Sequence, residues 1–284
     1  MATIQDYGDF ETAWCPGCGN MGIKAALIQA LVESGLEPHQ IVIVSGIGQA
    51  AKMPHYLHCN GFNGLHGRSV PAATGIALAN HGLKVIVNSG DGCNYGEGGN
   101  HFLAALRRNI DITLLVHDNQ IYGLTKGQAS PTSAQGMVTK AQPDGQRSRA
   151  FNPVATAVAN KVSFVARGFA GDKAHLAGLI KEAIAHKGFS LLDIMQPCVS
   201  FNKVNTWAWY MERCKPLPEE HDPTDWHQAL KQSDKFEDVI PLGVIYRNEE
   251  RQPFSEHFDI LNKGPLFSQG VDYEKLKEVM LKYA

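Results

Sequence analysis

Cys15-Pro16-Gly17-Cys18 is the most chemically suggestive stretch of the chain. A Cys-x-x-Cys turn with Pro and Gly inside presents two sulfurs in one direction, and backbone amides can donate to them. That suits zinc or an iron–sulfur cluster. A redox dithiol and two incidental buried thiols are the other readings of the same spacing. The pair supplies only two ligands, so any further ones must come from far along the chain. A second constellation is Gly90-Asp91-Gly92 followed, 28 positions after Asp91, by Asn119. The glycines let backbone approach a diphosphate closely. A carboxylate, an amide oxygen and a nearby carbonyl suit octahedral Mg²⁺ bridging to phosphate oxygens. By itself Gly-Asp-Gly is also a common turn. Paired with Asn119 and with Tyr122-Gly123-Leu124-Thr125, it is less readily read as two ordinary polar turns. Two weaker motifs complete the set. Gly98-Gly99-Asn100-His101 opens a helix whose N-terminus favours an anion, while Arg107-Arg108 closes it as a dipole complement. His66-Gly67-Arg68 could contact phosphate or substrate, or be a solvated loop.

These residues need elements to hold them. Helical spacing predicts helices over 20–36, 71–80, 98–108, 153–159 and 173–186. Short apolar, β-branched runs predict strands over 40–45, 83–88, 112–116, 163–166 and 190–195, with a long polar loop over 120–148 between them. Strands alternating with helices imply βαβ units, hence an α/β fold with a mostly parallel sheet and helices on both faces. In such sheets ligands sit beyond the carboxyl ends of strands. Those ends carry Gly46-Ile47-Gly48, Gly90-Asp91-Gly92, Asp118-Asn119 and Gln196-Pro197-Cys198. After Cys198 the periodicity fades, and residues 201–284 read as an irregular C-terminal extension wrapping the core or a partner. The expected division is a cofactor-binding domain over 1–200 and that extension.

Composition sets the outer limits. With 284 residues the chain can bury a sizeable core. A net charge of −2 gives no electrostatic footprint for nucleic acid or an acidic membrane. No run of about 18 apolar residues is present for a membrane span, and the first residues lack a signal peptide's basic and apolar regions. A cytoplasmic location is the expectation. Six cysteines, at 15, 18, 59, 93, 198 and 214, then call for metal or reactivity rather than disulfides.

Taken together, the motifs resemble the beta subunit of the 2-oxoacid:ferredoxin oxidoreductases. The resemblance rests on Trp14-Cys15-Pro16-Gly17-Cys18-Gly19, Ser45-Gly46-Ile47-Gly48, His66-Gly67-Arg68, Gly90-Asp91-Gly92, Gly98-Gly99-Asn100-His101, Arg107-Arg108-Asn109, the run from Tyr122 to Gln128, and Gln196-Pro197-Cys198. It spans about residues 10–200. It implies a thiamine diphosphate-binding fold and decarboxylation of a 2-oxoacid. Electrons leave through a proximal four-iron four-sulfur (4Fe-4S) cluster to ferredoxin, and coenzyme A takes the acyl group. By resemblance, Asp91, Asn119 and the Ile121 carbonyl hold Mg²⁺. Gly90, Gly92, Gly123, Leu124 and Thr125 line the diphosphate, and Ile47, Gly48, Gln49, Ala50 and His66 lie along the cofactor. His66, Lys52 and Lys126 are the expected catalytic or substrate-facing side chains. By the same resemblance, the cationic side chains of Lys52 and Lys126 would suit the distal carboxylate of 2-oxoglutarate over pyruvate.

The cluster is where this sequence departs from the family. Cys15, Cys18 and Cys198 match three ligand positions, but Gln49 stands where many members carry a cysteine after Gly-Ile-Gly. Cys59, ten residues on, is the expected substitute, ahead of Cys93, Cys214 and a non-cysteine ligand. The glutamate that activates thiamine belongs to a neighbouring pyrimidine-binding domain in this family. The chain has no room for one. An alpha subunit is therefore expected as partner, in a dimer of αβ pairs, and the lone chain is expected to be inactive. Three other readings stay in view: a non-oxidative thiamine-dependent decarboxylase, a zinc-stapled binding module and a nicotinamide dehydrogenase. The last lacks the third glycine of Gly-x-Gly-x-x-Gly, having Ala51 in its place.

Overall fold

Apolar runs at regular intervals fold as strands of one sheet in the computed structural model, which describes residues 2–284. In chain order the strands are β1 (Ile41–Ser45), β2 (Asn60–Asn63), β3 (Lys84–Gly90), β4 (Ile112–Asp118), β5 (Phe164–Phe169), β6 (Phe189–Met195), β7 (Cys214–Pro216) and β8 (Ile240–Arg247). Their spatial order is β2-β1-β3-β4-β6-β5-β8-β7. The first six run parallel, β8 lies antiparallel to β5, and β7 is parallel to β8. Every residue of β1, β4, β5 and β6 is buried. These strands are apolar on both faces because helices cover both.

The helices are α1 (Gly19–Glu33), α2 (Ser69–Ala79), α3 (Gly99–Arg108), α4 (Pro153–Ala159), α5 (Lys173–Ala185), α6 (Trp207–Arg213), α7 (Trp226–Ser233), α8 (Asp259–Asn262) and α9 (Tyr273–Leu281). On one face α1 and α5 pack Ile23, Leu27, Leu31, Leu176, Ile180 and Ile184 onto Ile43, Ile86, Leu115 and Leu192. On the other, α2, α3 and α4 bring Val70, Phe102, Leu106, Val154 and Val158 against Val44, Val87, Leu114 and Val116. Local sequence explains several helix ends. The Asn152 side chain accepts from Ala155 N ahead of Pro153, the Asp172 side chain accepts from His175 N, and α3 ends on left-handed Asn109. Among the described residues, no helix is long and apolar enough to cross a membrane.

The C-terminal part corrects the expectation of an irregular extension. β8 continues the central sheet beside β5, and Tyr210, Ile240 and Leu242 form a third cluster with Phe169 and Met195. Pro241 and Gly243 interrupt the strand pattern in sequence. Gly243 has φ +137° and β8 is an antiparallel late arrival, so no βαβ signal announces it. β2 also goes unannounced. It is a fully exposed edge of Asn-Gly-Phe-Asn held by backbone pairing and by Asn60 Nδ2 donating to Ile41 O at 2.9 Å.

Candidate functional site

β1, β3, β4 and β6 are parallel neighbours, so their carboxyl ends share one edge. The loops leaving that edge build a cleft lined by Ile47, Gly48, Gln49, Ala50, His66, Gly90, Asp91, Gly92, Asn119, Ile121, Gly123, Leu124 and Thr125. Cys93 and Tyr122 complete the wall. Every residue placed along the cofactor by sequence therefore meets the others here. Lys52 and Lys126 do not line the cleft. Lys126 is an exposed left-handed residue (φ +74°) just past Thr125, and Lys52 is half-buried one turn beyond Gln49.

The cleft is shaped by glycine. A Cβ on Gly92 would lie 2.2 Å from Tyr122 Cε1, so only glycine lets the strand end and the Tyr122 ring close together. Tyr122 in turn donates to Glu97 Oε2 at 3.2 Å, and Glu97 Oε2 lies 3.0 Å from His66 Nδ1. Glu97, not itself a lining residue, thus lies close to both His66 and Tyr122 of the wall. Sequence alone marks only His66 as chemistry and misses Glu97.

Asp91 is buried, and burial raises its pKa to about 6. Thr132 Oγ1 lies 2.7 Å from Asp91 Oδ2 and 2.8 Å from Asp118 Oδ1. A hydroxyl has one proton and cannot donate to both. Burial, with Asp193 and Asp91 nearby, holds the Asp118 pKa well above the usual carboxylate range. One of the two contacts must therefore use a carboxyl proton, and burial raises the pKa of both Asp91 and Asp118. No Lys, Arg or His pairs with Asp91 among the described residues. Asp91 shares the cleft with Asn119 and Ile121, and a carboxylate, an amide oxygen and a main-chain carbonyl are donors a hard divalent cation can take. Thr132 sits inside the polar loop for which sequence predicts no structure. Its Ser-Pro-Thr-Ser context is the one available signal.

A second buried chain lies behind the cleft. Burial lowers the His117 pKa to about 3, so the ring is neutral, with one N–H. Asn88 Nδ2 donates to Ala50 O at 3.1 Å, which aims Asn88 Oδ1 at His117 Nε2, 3.1 Å away. Nε2 therefore holds the proton. His117 Nδ1, 2.6 Å from the Asn20 amide, must then accept. Turning the Asn20 amide so that Nδ2 donates satisfies that ring nitrogen and gives the otherwise unpartnered Nδ2 its bond. The chain Asn20–His117–Asn88–Ala50 ties the helix that follows Cys18 to the cleft wall.

The sulfurs gather at the same edge. Trp207 Nε1 donates to Gly17 O at 3.0 Å, and Gly19 N donates to Pro197 O at 3.3 Å, pressing the Cys15–Cys18 turn onto the segment after β6. Burial raises the Cys18 pKa, and the Cys198 and Cys15 thiols nearby raise it further. Gln196 Nε2 donates to Cys18 Sγ at 3.4 Å and Ser200 Oγ to Cys15 Sγ at 3.0 Å. A Cβ on Gly123, a cleft residue, would sit 3.9 Å from Cys198 Sγ. Among the described residues, no three His, Cys, Asp or Glu side chains are grouped so that they could hold a metal ion.

Cys59 is not with them. It precedes Asn60, which is paired with Val42, so it lies at the start of β1. The carboxyl edge is about 13 Å of strand away at about 3.3 Å per residue. Burial pushes its thiol up to about 11, and the Ile43 amide is its polar neighbour. Cys93 Sγ accepts from Gly67 N at 3.2 Å and packs under Gly46. Cys214 opens β7.

The thiamine pyrophosphate enzyme family, in its C-terminal TPP binding domain, matches residues 38–194. The C-terminal family of the pyruvate ferredoxin oxidoreductase beta subunit matches residues 198–263. A 2-oxoacid:ferredoxin oxidoreductase subunit beta of Sulfolobus sp is 44% identical, over 95% of this chain and 91% of its own length. The chain belongs to the 2-oxoacid:ferredoxin oxidoreductase beta subunit family. This beta subunit is 40% identical to the 2-oxoglutarate synthase subunit KorB of Archaeoglobus fulgidus, over 90% of this chain and 94% of that one. It also overlays a solved structure of 2-oxoglutarate:ferredoxin oxidoreductase from Magnetococcus marinus with a TM-score of 0.91. There the identity is 33%, covering 99% of this chain and 96% of that chain. The beta subunit is thus part of an oxidoreductase and carries the thiamine diphosphate-binding domain. That structure was solved with 2-oxoglutarate, coenzyme A and succinyl-CoA bound.

Proposed function

We propose that this chain is the beta subunit of a 2-oxoglutarate:ferredoxin oxidoreductase, holding thiamine diphosphate, Mg²⁺ and a proximal 4Fe-4S cluster. The observation that carries the reading is Gly123: it lines the cleft and backs onto Cys198 Sγ, so cofactor cleft and thiol group share one wall. Thiamine diphosphate, when bound, supplies the electron sink for loss of the carboxylate. The protein's part is placement and charge. Asp91, held by Thr132, would bind Mg²⁺ with Asn119 and the Ile121 carbonyl. Gly90, Gly92, Gly123, Leu124 and Thr125 would accommodate the diphosphate. Ile47 to Ala50 and His66 would lie along the rest of the cofactor, with Glu97 close to His66. Cys15, Cys18 and Cys198 are the thiolates available to the cluster, and soft sulfur suits its iron.

A glutamate able to work on the aminopyrimidine ring is not among the cleft residues. We assign that role to an alpha subunit, as the designation subunit beta of the relatives supports, and we expect a dimer of αβ pairs. Lys52 and Lys126 do not line the cleft; we assign them to the distal carboxylate of 2-oxoglutarate, a cation suiting that group. The extension after residue 200 reaches this edge too: Asn202 Nδ2 donates to Asn119 O at 3.0 Å. The test is anaerobic co-purification with the alpha chain, followed by viologen reduction with a panel of 2-oxoacids and coenzyme A. Faster reduction with 2-oxoglutarate than with pyruvate is expected, falling when Lys52 and Lys126 become Ala. Turnover by the lone chain, or equal rates across the panel, would refute the assignment.

A further inference from the structure

We propose that this beta subunit carries a second ligand site, beside the cofactor cleft, that takes an aliphatic diamine. As the chain leaves β4, alternate residues line different spaces. Asn119 and Ile121 line the cleft, whereas Asp118 and Gln120 line a separate cavity of about 510 Å³. Cleft and cavity share no lining residue. The volume lies within the roughly 300–1,000 Å³ of small-molecule sites. The cavity floor is polar: Asp118, Gln120 and Asp193 are each 1% exposed. Asp118 Oδ1 is engaged by Thr132 Oγ1 and Gln120 N, and Asp193 Oδ1 accepts from the Tyr95 hydroxyl at 2.8 Å. Gln120 Nε2 donates to the Tyr210 hydroxyl oxygen at 2.8 Å. Three oxygens are left over: Asp118 Oδ2, Asp193 Oδ2 and Gln120 Oε1. None of them accepts a hydrogen bond from the described residues, and none is sealed from solvent inside the protein.

Arg167 also lines this cavity, but its guanidinium is engaged by the wall. Nη1 donates to Lys235 O at 3.2 Å, Nη2 donates to Ser233 O at 3.3 Å, and the group lies 5.7 Å from the centre of the Phe236 ring. It forms no ion pair with Asp118 or Asp193. It is near enough to lower the Asp193 pKa against burial, to about 6, so that this carboxyl is an anion at neutral pH. Three acceptor oxygens without donors, one of them on an anion, suit the three N–H groups of a primary ammonium. A buried charge left without such a partner is costly. Phe151, Pro153 and Phe236 give the cavity apolar walls for a methylene chain. At the rim stand exposed Asp234 and Glu237, with Arg149 as the single cation there. None of these three is ion-paired among the described residues. Two carboxylates against one guanidinium leave the rim negative, which suits a second ammonium. A carboxylate ligand would instead meet four carboxyl groups and only Arg149 unengaged. A bare metal ion would leave the apolar walls uncovered, and no three His, Cys, Asp or Glu side chains among the described residues are grouped to hold one.

The experiment is calorimetric titration of the full-length chain with diaminobutane, butylamine, succinate and potassium chloride in turn. Diaminobutane should saturate one site per chain, butylamine should bind the same site at least about tenfold more weakly, and succinate and potassium should give no saturation. Asp193→Asn keeps an oxygen for Tyr95 and removes the floor charge, and it should weaken both amines at least about tenfold. The double variant Asp234→Asn, Glu237→Gln changes only exposed side chains. It should bring diaminobutane down to the affinity of butylamine and leave butylamine unchanged. The proposal is overturned if diaminobutane fails to saturate wild type by about 10 mM, beyond the weak end of specific binding. It is overturned equally if succinate or potassium saturates the chain in its place, or if diaminobutane binds wild type and both variants alike. Should Asp193→Asn fail to fold, the rim variant decides: an unchanged diaminobutane affinity there overturns the proposal.

Discussion

Replacing Asp91 by Asn should stabilise the cofactor-free protein while abolishing its response to cofactor. The Asp91 carboxyl is buried, and its pKa rises from 3.8 to about 6. A carboxyl whose folded pKa exceeds its unfolded value binds its proton more tightly when folded. Its contribution is complete below pH 3.8 and is lost as pH rises through about 6. Roughly two units at about 1.4 kcal/mol each give about 3 kcal/mol of destabilisation by the ionised form near neutral pH. The neutral Asn amide is free of that loss, and its oxygen can still accept from Thr132. We expect Asp91→Asn to gain about 1–3 kcal/mol at about pH 8 and almost nothing at about pH 4, the range allowing for proton sharing with Asp118. Urea unfolding at both pH values, with and without thiamine diphosphate and Mg²⁺, measures each part. Wild type should be stabilised by the ligands through binding linkage, and Asp91→Asn should not. A variant less stable than wild type at the higher pH, or one still stabilised by the cofactor and Mg²⁺, would refute the reasoning.

Gly92→Ala should weaken thiamine diphosphate binding at least about tenfold, about 1.4 kcal/mol, because its methyl displaces the Tyr122 ring; calorimetric titration reads this directly. Tyr95→Phe removes the 2.8 Å hydrogen bond to buried Asp193 and should cost about 1–3 kcal/mol in urea unfolding, with cofactor affinity little changed. Phe102→Ala, at a side chain with no exposed surface in the second core, should cost about 3–5 kcal/mol by the same measurement.

The parts of the site that sequence reveals are those that backbone geometry imposes. Gly92 must be glycine because a ring occupies the space of its Cβ, and Asp91 and Asn119 must sit at strand ends because the sheet is parallel. Such constraints leave local signatures, and the β1, β3, β4 and β6 ends are readable from them. Cys59 misleads because spacing along the chain says nothing about which end of a strand a residue joins. Once β2 pairs parallel with β1, Cys59 is committed to the wrong end. β8 is hidden because Pro241 and Gly243 break its alternation, and its partner β5 lies far earlier in the chain.

The side-chain relays are invisible in sequence for a different reason. Tyr95 meets Asp193 across 98 positions, and His117 meets Asn20 across 97. No short-range pattern encodes such meetings. Their cost does identify them: Asp91, Asp118 and Asp193 are three buried carboxyls with raised pKa values, and Arg167 is the buried cation near Asp193 and Asp118. An apolar core would hold the same sheet more firmly. A polar cluster that burdens the fold and lies directly behind Asp91 fits a site where one carboxylate must stay ionised without a permanent protein cation. Neutralising that charge is then left to whatever binds in front of it. Stability and cofactor binding should therefore move in opposite directions at Asp91.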